Sequence, residues 1–211
     1  PLLPYYEKQF RDEALIRTVH YGTHIEGNEL NIDQAENVIM GKDVVARQRD
    51  IQEVMNYRRV MRYIEELGEP SNARASTVDK SMADKSEGKE KVDEELIKHL
   101  HSLTVKKILS AETIGEYRKK QVVVKNSYTG KVSFKPPLSV AIPFQIKDLV
   151  VFINSTSEQD IHPVLKSGVV HYELVRIHPF LDGNGRVARA LSTLILFLEG
   201  YDIRKFFSLE E

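Results

Sequence analysis

Apolar residues recur at helical spacing along most of this chain. Tyr5, Phe10, Leu15, Ile16 and Val19 form a loose pattern from Pro4 to Thr23, and Gly27 and Asn28 follow as C-terminal punctuation. Asn31 with Gln34 three positions on reads as an N-cap with its capping-box partner, opening a short helix that ends near Gly41. Ile51, Val54, Met55, Val60, Met61, Ile64 and Leu67 mark one face of a longer amphipathic helix, with Met55 and Met61 as core filling. Leu96, Ile97, Leu100, Leu103 and Ile108 mark another. Pro143 and Pro163 suit the first turns of two more helices. The first runs to Asn154; the second carries Val164, Leu165, Val169, Tyr172, Val175 and Ile177. Val187, Leu191, Leu194, Ile195 and Leu198 define the last helix, stopped by Gly200. One stretch breaks the helical period. Val122, Val123 and Val124 are β-branched, 126–130 is turn-rich, Val132 and Phe134 continue beyond it, and Pro136 and Pro137 close a β-hairpin. The pattern predicts an all-α bundle with a small β-hairpin.

Between the last two helices lies a polar loop, 178–189, expected to sit between buried elements. Gly183, Asn184 and Gly185 lead into a helix, so successive backbone N–H groups can face one concavity, a nest for an anion at the positive end of the helix dipole. Arg186 and Arg189, three apart, stand near that nest with guanidinium forks suited to phosphate oxygens. Asp182 is a hard oxygen ligand of the kind Mg²⁺ takes when phosphates fill its remaining coordination. His178 is a base whose ordinary pKa lies near physiological pH, and Phe180 reads as an apolar anchor for the loop. The parts together predict a polyphosphate site with a base beside it.

Composition narrows the rest. The chain has 211 residues, a net charge of −1 and 41% hydrophobic residues, which suits one domain or slightly more and argues against bulk nucleic-acid affinity. With no cysteine, thiolate catalysis, disulfides and Cys-ligated zinc are excluded. No apolar run long enough to span a bilayer and no signal peptide is visible, so no membrane partner and a cytoplasmic location are expected. From Gly68 to about Val92 the chain turns to Ser, Lys, Asp, Glu and Ala, the composition of a flexible insert. The division is therefore 1–67, an insert 68–92, and a core 93–211 with the hairpin at 121–135. Starting at Pro1 and stopping at Glu211, it reads as a piece of something longer.

The run from His178 to Arg189 matches at every specified position the pattern His-x-Phe-x-Asp/Glu-Gly-Asn-Gly-Arg-x-x-Arg, and so resembles the signature of Fic-domain (Fic/Doc family) proteins. The resemblance implies a Fic-fold helical bundle and transfer of AMP from ATP, with Mg²⁺, to a Ser, Thr or Tyr hydroxyl of a target protein. It makes His178 the catalytic base. Gly183, Asn184, Gly185, Arg186 and Arg189 become phosphate ligands, and Asp182 the metal ligand. It also makes the hairpin a flap, on which Val122, Val123 and Val124 would dock the target as an added strand. Ile25-Glu26-Gly27 resembles the family's inhibitory motif, Ser/Thr-x-x-x-Glu-Gly/Asn, whose glutamate pairs with the second arginine, here Glu26 with Arg189. Gly22 stands where that motif has its hydroxyl. Removal of AMP or transfer of another phosphate-linked group by the same site, and a non-catalytic nucleotide-binding module, are the alternatives. Self-association stays open. The remaining histidines are read as structural: His20 and His24 lack a third zinc ligand, and His99, His101 and His171 read as packing or surface residues.

Overall fold

The computed structural model describes residues 4–68, 91–125, 129–155, 161–201, 208 and 210; the expected insert at 68–92 falls almost wholly outside them. Among the described residues there are seven helices: α1 (Pro4–His24), α2 (Ile32–Ile39), α3 (Gln48–Gly68), α4 (Glu94–Thr104), α5 (Ile142–Asn154), α6 (Pro163–Ile177) and α7 (Asn184–Leu198). Between α4 and α5 come β1 (Val124–Lys125), β2 (Val132–Phe134) and a single 3₁₀ turn, Ser139–Ala141. The fold is all-α with a small ribbon, as the pattern predicts.

Helix α7 is the column around which the others stand, packing against α6, α3, α4 and α1. Its apolar residues Val187, Leu191, Leu194 and Ile195 are buried, and so are the small residues Ala188, Ala190, Ser192 and Thr193 between them. The small residues let α6 approach closely. Ser167 Oγ donates to the Ser192 carbonyl at 3.0 Å, and Ser192 Oγ reaches back to the Ser167 carbonyl at 3.3 Å. These bonds satisfy polar groups that a close-packed interface would otherwise leave costly.

Local chemistry sets the helix ends. Asn31 Oδ1 accepts from Gln34 N at 2.9 Å while Gln34 Oε1 accepts from Asn31 N at 3.0 Å, the expected capping box. Asp93 caps α4 through Leu96 N at 2.7 Å. Asn154 brackets Val92 through both its backbone groups, at 3.1 and 2.6 Å, and so fastens the chain just ahead of α4 to the end of α5.

Three expectations change. Of the six apolar positions singled out on α6, Val164, Leu165, Val169, Tyr172 and Val175 are exposed and only Ile177 is buried, where it joins Ser167, Val170 and Leu174. That helix is apolar nearly all round, so periodicity alone could not choose its inner face. Tyr5, Phe10 and Met55 are likewise exposed rather than core. The hairpin is shorter than predicted. Val124 pairs with Phe134 and Lys125 with Val132, with an irregularity between the pairs, and Val122 and Val123 stand outside the ladder.

Candidate active site

Helix α6 ends at Ile177, and His178 caps it in the left-handed region with φ 50° and ψ 58°. A side chain with a Cβ adopts that conformation at a cost of roughly 1–2 kcal/mol, so the neighbourhood must hold it there. Arg118 does so from the loop after α4. Its Nε donates to the His178 carbonyl at 2.8 Å and its backbone N–H to the Pro179 carbonyl at 2.8 Å. The imidazole Nδ1 lies 3.3 Å from the Val175 carbonyl. Donation by Nδ1–H leaves Nε2 with its lone pair, the arrangement a general base needs. Burial pushes the His178 pKa below its ordinary value and Arg118 adds to that, while the Val175 carbonyl, Glu26 and Asp182 oppose it.

The loop after His178 is stiffened from within. Phe180 is fully buried and stacks on His101, with ring centroids 3.8 Å apart and planes 2° from parallel. Asn184 folds back on the same residue, Oδ1 accepting from Phe180 N at 2.9 Å and Nδ2 donating to Phe180 O at 3.0 Å. Expected to orient a phosphate, Asn184 is buried and spends its amide on closing the turn. His101, expected to be a packing residue, is a second brace. Its Nδ1 accepts the Gly115 N–H at 3.0 Å, which places the proton on Nε2, 3.2 Å from the Asp182 carbonyl. Burial lowers its pKa to about 4. Gly183, at φ 80°, ends the turn where a Cβ would meet Val105 and Thr104.

Four charges of alternating sign link α3 to this loop. Arg49 Nη2 lies 2.6 Å from Asp182 Oδ2 and its Nε 3.1 Å from Glu53 Oε1. Arg186 closes the ring, with Nη2 3.2 Å from Asp182 Oδ1 and Nη1 3.3 Å from Glu53 Oε1. Arg186 is 1% exposed, so this expected phosphate ligand is a buried cation committed to carboxylates. Burial works against ionisation of Asp182, but Arg186, Arg49 and the Gly183 N–H outweigh it and hold the carboxyl below its usual range. Asp182 is therefore an anion fit for Mg²⁺. Asp182 is the residue of this loop that would hold Mg²⁺ beside bound phosphates.

Glu26 reaches the nest from the other side. Thr23 folds the end of α1 back by accepting Glu26 N at 3.0 Å and Asn28 N at 3.3 Å, and Gly27 turns at φ 91°. Buried Asn28 pins that turn to α3 through the Asp50 carbonyl at 3.0 Å and Glu53 Oε2 at 3.1 Å. The Glu26 carboxylate then lies directly over Gly185, where a Cβ would overlap it, and its Oε1 is 2.8 Å from Arg189 Nη2. The same Nη2 donates to the Gly22 carbonyl at 2.7 Å. Tyr57, fully buried on α3, lies against Gly22 so closely that a Cβ there would collide with its ring. The glycine at the hydroxyl position thus has a cause: Tyr57 fills the space. Thr23 Oγ1, one residue on, bonds back into its own helix, to the Val19 and His20 carbonyls.

The structure brings His178, Asp182, Gly183, Gly185, Arg189 and Glu26 together at one helix entry. Arg186 and Asn184 stand behind that surface. Val124 lies in the ribbon, and Val122 and Val123 precede it, after the Arg118 segment. Arg49, His101 and Arg118 were not legible as site residues, because each acts through a partner distant in sequence.

A left-handed histidine at a helix end, followed by a glycine-lined helix entry holding an anion, defines a class: an all-α domain with a histidine beside an anion nest. Its sequence matches the Fic/DOC family over residues 91–196, half of the chain, and the chain belongs to that family. Protein adenylyltransferase fic-1 of Caenorhabditis elegans is 29% identical over 191 residues, covering 90% of this chain and 33% of that protein. Protein adenylyltransferase Fic of Drosophila grimshawi is 28% identical over 196 residues, covering 92% and 35%. The chain thus spans about a third of the length of these relatives. Among solved structures, a Fic family protein from Desulfovibrio desulfuricans superposes with a TM-score of 0.71 at 27% identity, over 97% of this chain and 53% of that one. A Fic-domain-containing signaling protein from Bacteroides thetaiotaomicron gives 0.75 at 26%, over 95% and 69%.

Proposed function

We propose that this chain is the catalytic part of a protein adenylyltransferase, transferring AMP from ATP to a target hydroxyl, and that Glu26 holds it in check. The observation that carries this reading is the Glu26 carboxylate lying over Gly185 against Arg189, an anion already resting where a phosphate would bind. A carboxylate and a phosphate compete for the same guanidinium fork. With Glu26 displaced, the N–H groups at the start of α7 and Arg189 receive the polyphosphate. Asp182, parted from Arg49, would hold Mg²⁺, whose contribution there would be to neutralise phosphate charge. His178 Nε2 takes the proton of the incoming Ser, Thr or Tyr hydroxyl, and pyrophosphate is the leaving group. A positioned base of this kind contributes about 10²–10⁴-fold. The lowered pKa of His178 keeps Nε2 unprotonated to more acid pH than a free histidine, so the acid limb of the rate profile falls below about 6.5. The ribbon, with Val124 in its ladder, offers an edge for a target strand.

Labelled ATP tests the reading. Glu26→Gly incorporates α-phosphate label, but not γ-phosphate label, into protein at least tenfold faster than the parent, and adding His178→Ala abolishes it. Undiminished incorporation without His178, or label from the γ-phosphate, removes the proposal.

A further inference from the structure

Arg118 is a buried cation with no carboxylate partner among the described residues. It is 2% exposed, and its pKa is lowered by burial alone. A charge in that position needs compensation, and backbone carbonyls from three segments supply it. Two belong to the end of α6: His178 at 2.8 Å from Nε and Ile177 at 3.5 Å from Nη2. They are among the carbonyls that a helix end leaves without intrahelical donors, and they carry the negative end of its dipole. The other two flank the ribbon. Lys120 O lies 3.1 Å from Nη1, before β1, and Pro137 O lies 2.6 Å from Nη2, after β2. One planar guanidinium therefore ties both stems of the ribbon to the peptide of the candidate base. Gln121 Nε2 to Pro136 O at 2.8 Å and Ser139 Oγ to Lys119 O at 3.2 Å also hold the stems, but neither reaches His178.

We propose that Arg118 is a positioning residue that fixes the distance between the docking edge of the ribbon and His178, so that a docked hydroxyl meets the imidazole. This rests on the AMP-transfer reading. Water needs no docking edge, whereas a protein hydroxyl does. Loosening the tie should therefore shift AMP from protein to water while leaving nucleotide binding intact. A side chain important only for general stability would lower both outcomes together.

The experiment compares Arg118→Lys and Arg118→Gln with Arg118 itself, each in the Glu26→Gly background. Lysine keeps the charge without the fork and glutamine keeps two donors without the charge, so any variant with a cooperative melt serves. Self-labelling from α-labelled ATP should fall at least tenfold. The ratio of incorporated label to released AMP should fall severalfold, and the thermal shift given by Mg·ATP should be unchanged. Hydrogen exchange should quicken together in 119–137 and 174–181, with α3 unaffected. Gln121→Ala should quicken the first segment alone. A parallel fall of labelling and AMP release overturns the proposal, as does exchange that changes in one segment only in the Arg118 variants. If the Glu26→Gly parent incorporates no AMP, the transfer reading fails by itself, and the exchange pattern still decides whether Arg118 couples the two segments.

Discussion

His101 holds the carbonyl of Asp182 and the ring of Phe180 only while its imidazole is neutral at Nδ1, because that nitrogen must accept the Gly115 N–H. Its pKa of about 4, against an ordinary 6.5, ties this brace to pH. As pH falls below 6.5 the unfolded chain takes up the proton first, so stability declines from there to about pH 4 and levels off below. The full difference is about 3 kcal/mol. His101→Gln should be less stable than the parent at pH 7 and should lose less between pH 7 and 5, as urea unfolding at the two pH values will read. An equal loss in both proteins would mean that His101 is not the titrating group. Arg49 makes the second residue-scale prediction. Its guanidinium occupies Asp182 Oδ2, so Arg49→Gln should bind Mn²⁺ alone several-fold more tightly in a paramagnetic relaxation titration. Unchanged Mn²⁺ affinity would separate Asp182 from metal binding.

At the scale of elements, the junction of α1 with α3 decides where Glu26 goes. Tyr57 packs on Gly22 from α3, and Asn28 hooks the following turn to Glu53. Gly22→Ala drives a methyl into a fully buried ring, and overpacking of this kind costs about 1–3 kcal/mol. A thermal melt should show that loss, and Tyr57→Leu in the same chain should recover part of it. Equal stability of the Gly22→Ala protein would remove Tyr57 as the reason for glycine. The helices themselves were legible because each carries a strong local signal: the Asn31–Gln34 box, the prolines opening α5 and α6, the apolar row of α7. Local signals are silent on orientation. Helix α6 shows an apolar residue on every side, so its inner face was set by the close fit of Ser167 to Ser192, a contact between helices. The ribbon fell short of the β-branched run at Val122–Val124, which marks strand preference, and Arg118 and Gln121 bond the stems on either side of the ladder.

Across the whole molecule, the family match over 91–196 holds His178, Asp182 and the anion nest, and the helices before it hold what acts on them. Glu26, Arg49, Glu53 and Tyr57 all come from α1 and α3 or the turn between α1 and α2. The ring of Arg49, Asp182, Arg186 and Glu53 binds the two parts by charge. The signature loop was readable residue by residue because its chemistry is contiguous in sequence. The ring was not, since Arg49 and Asp182 stand 133 positions apart.

Arg189 holds two acceptors with one nitrogen, and only one of them is a side chain. The Gly22 carbonyl would stay in place whatever residue stood at 22, so this half of the restraint leaves no letter in the sequence. Substituting Glu26 removes a charge and keeps the peptide bond that faces it. The chain can therefore lack the family's hydroxyl at that position and still keep Arg189 anchored to the end of α1, through an atom that every amino acid brings.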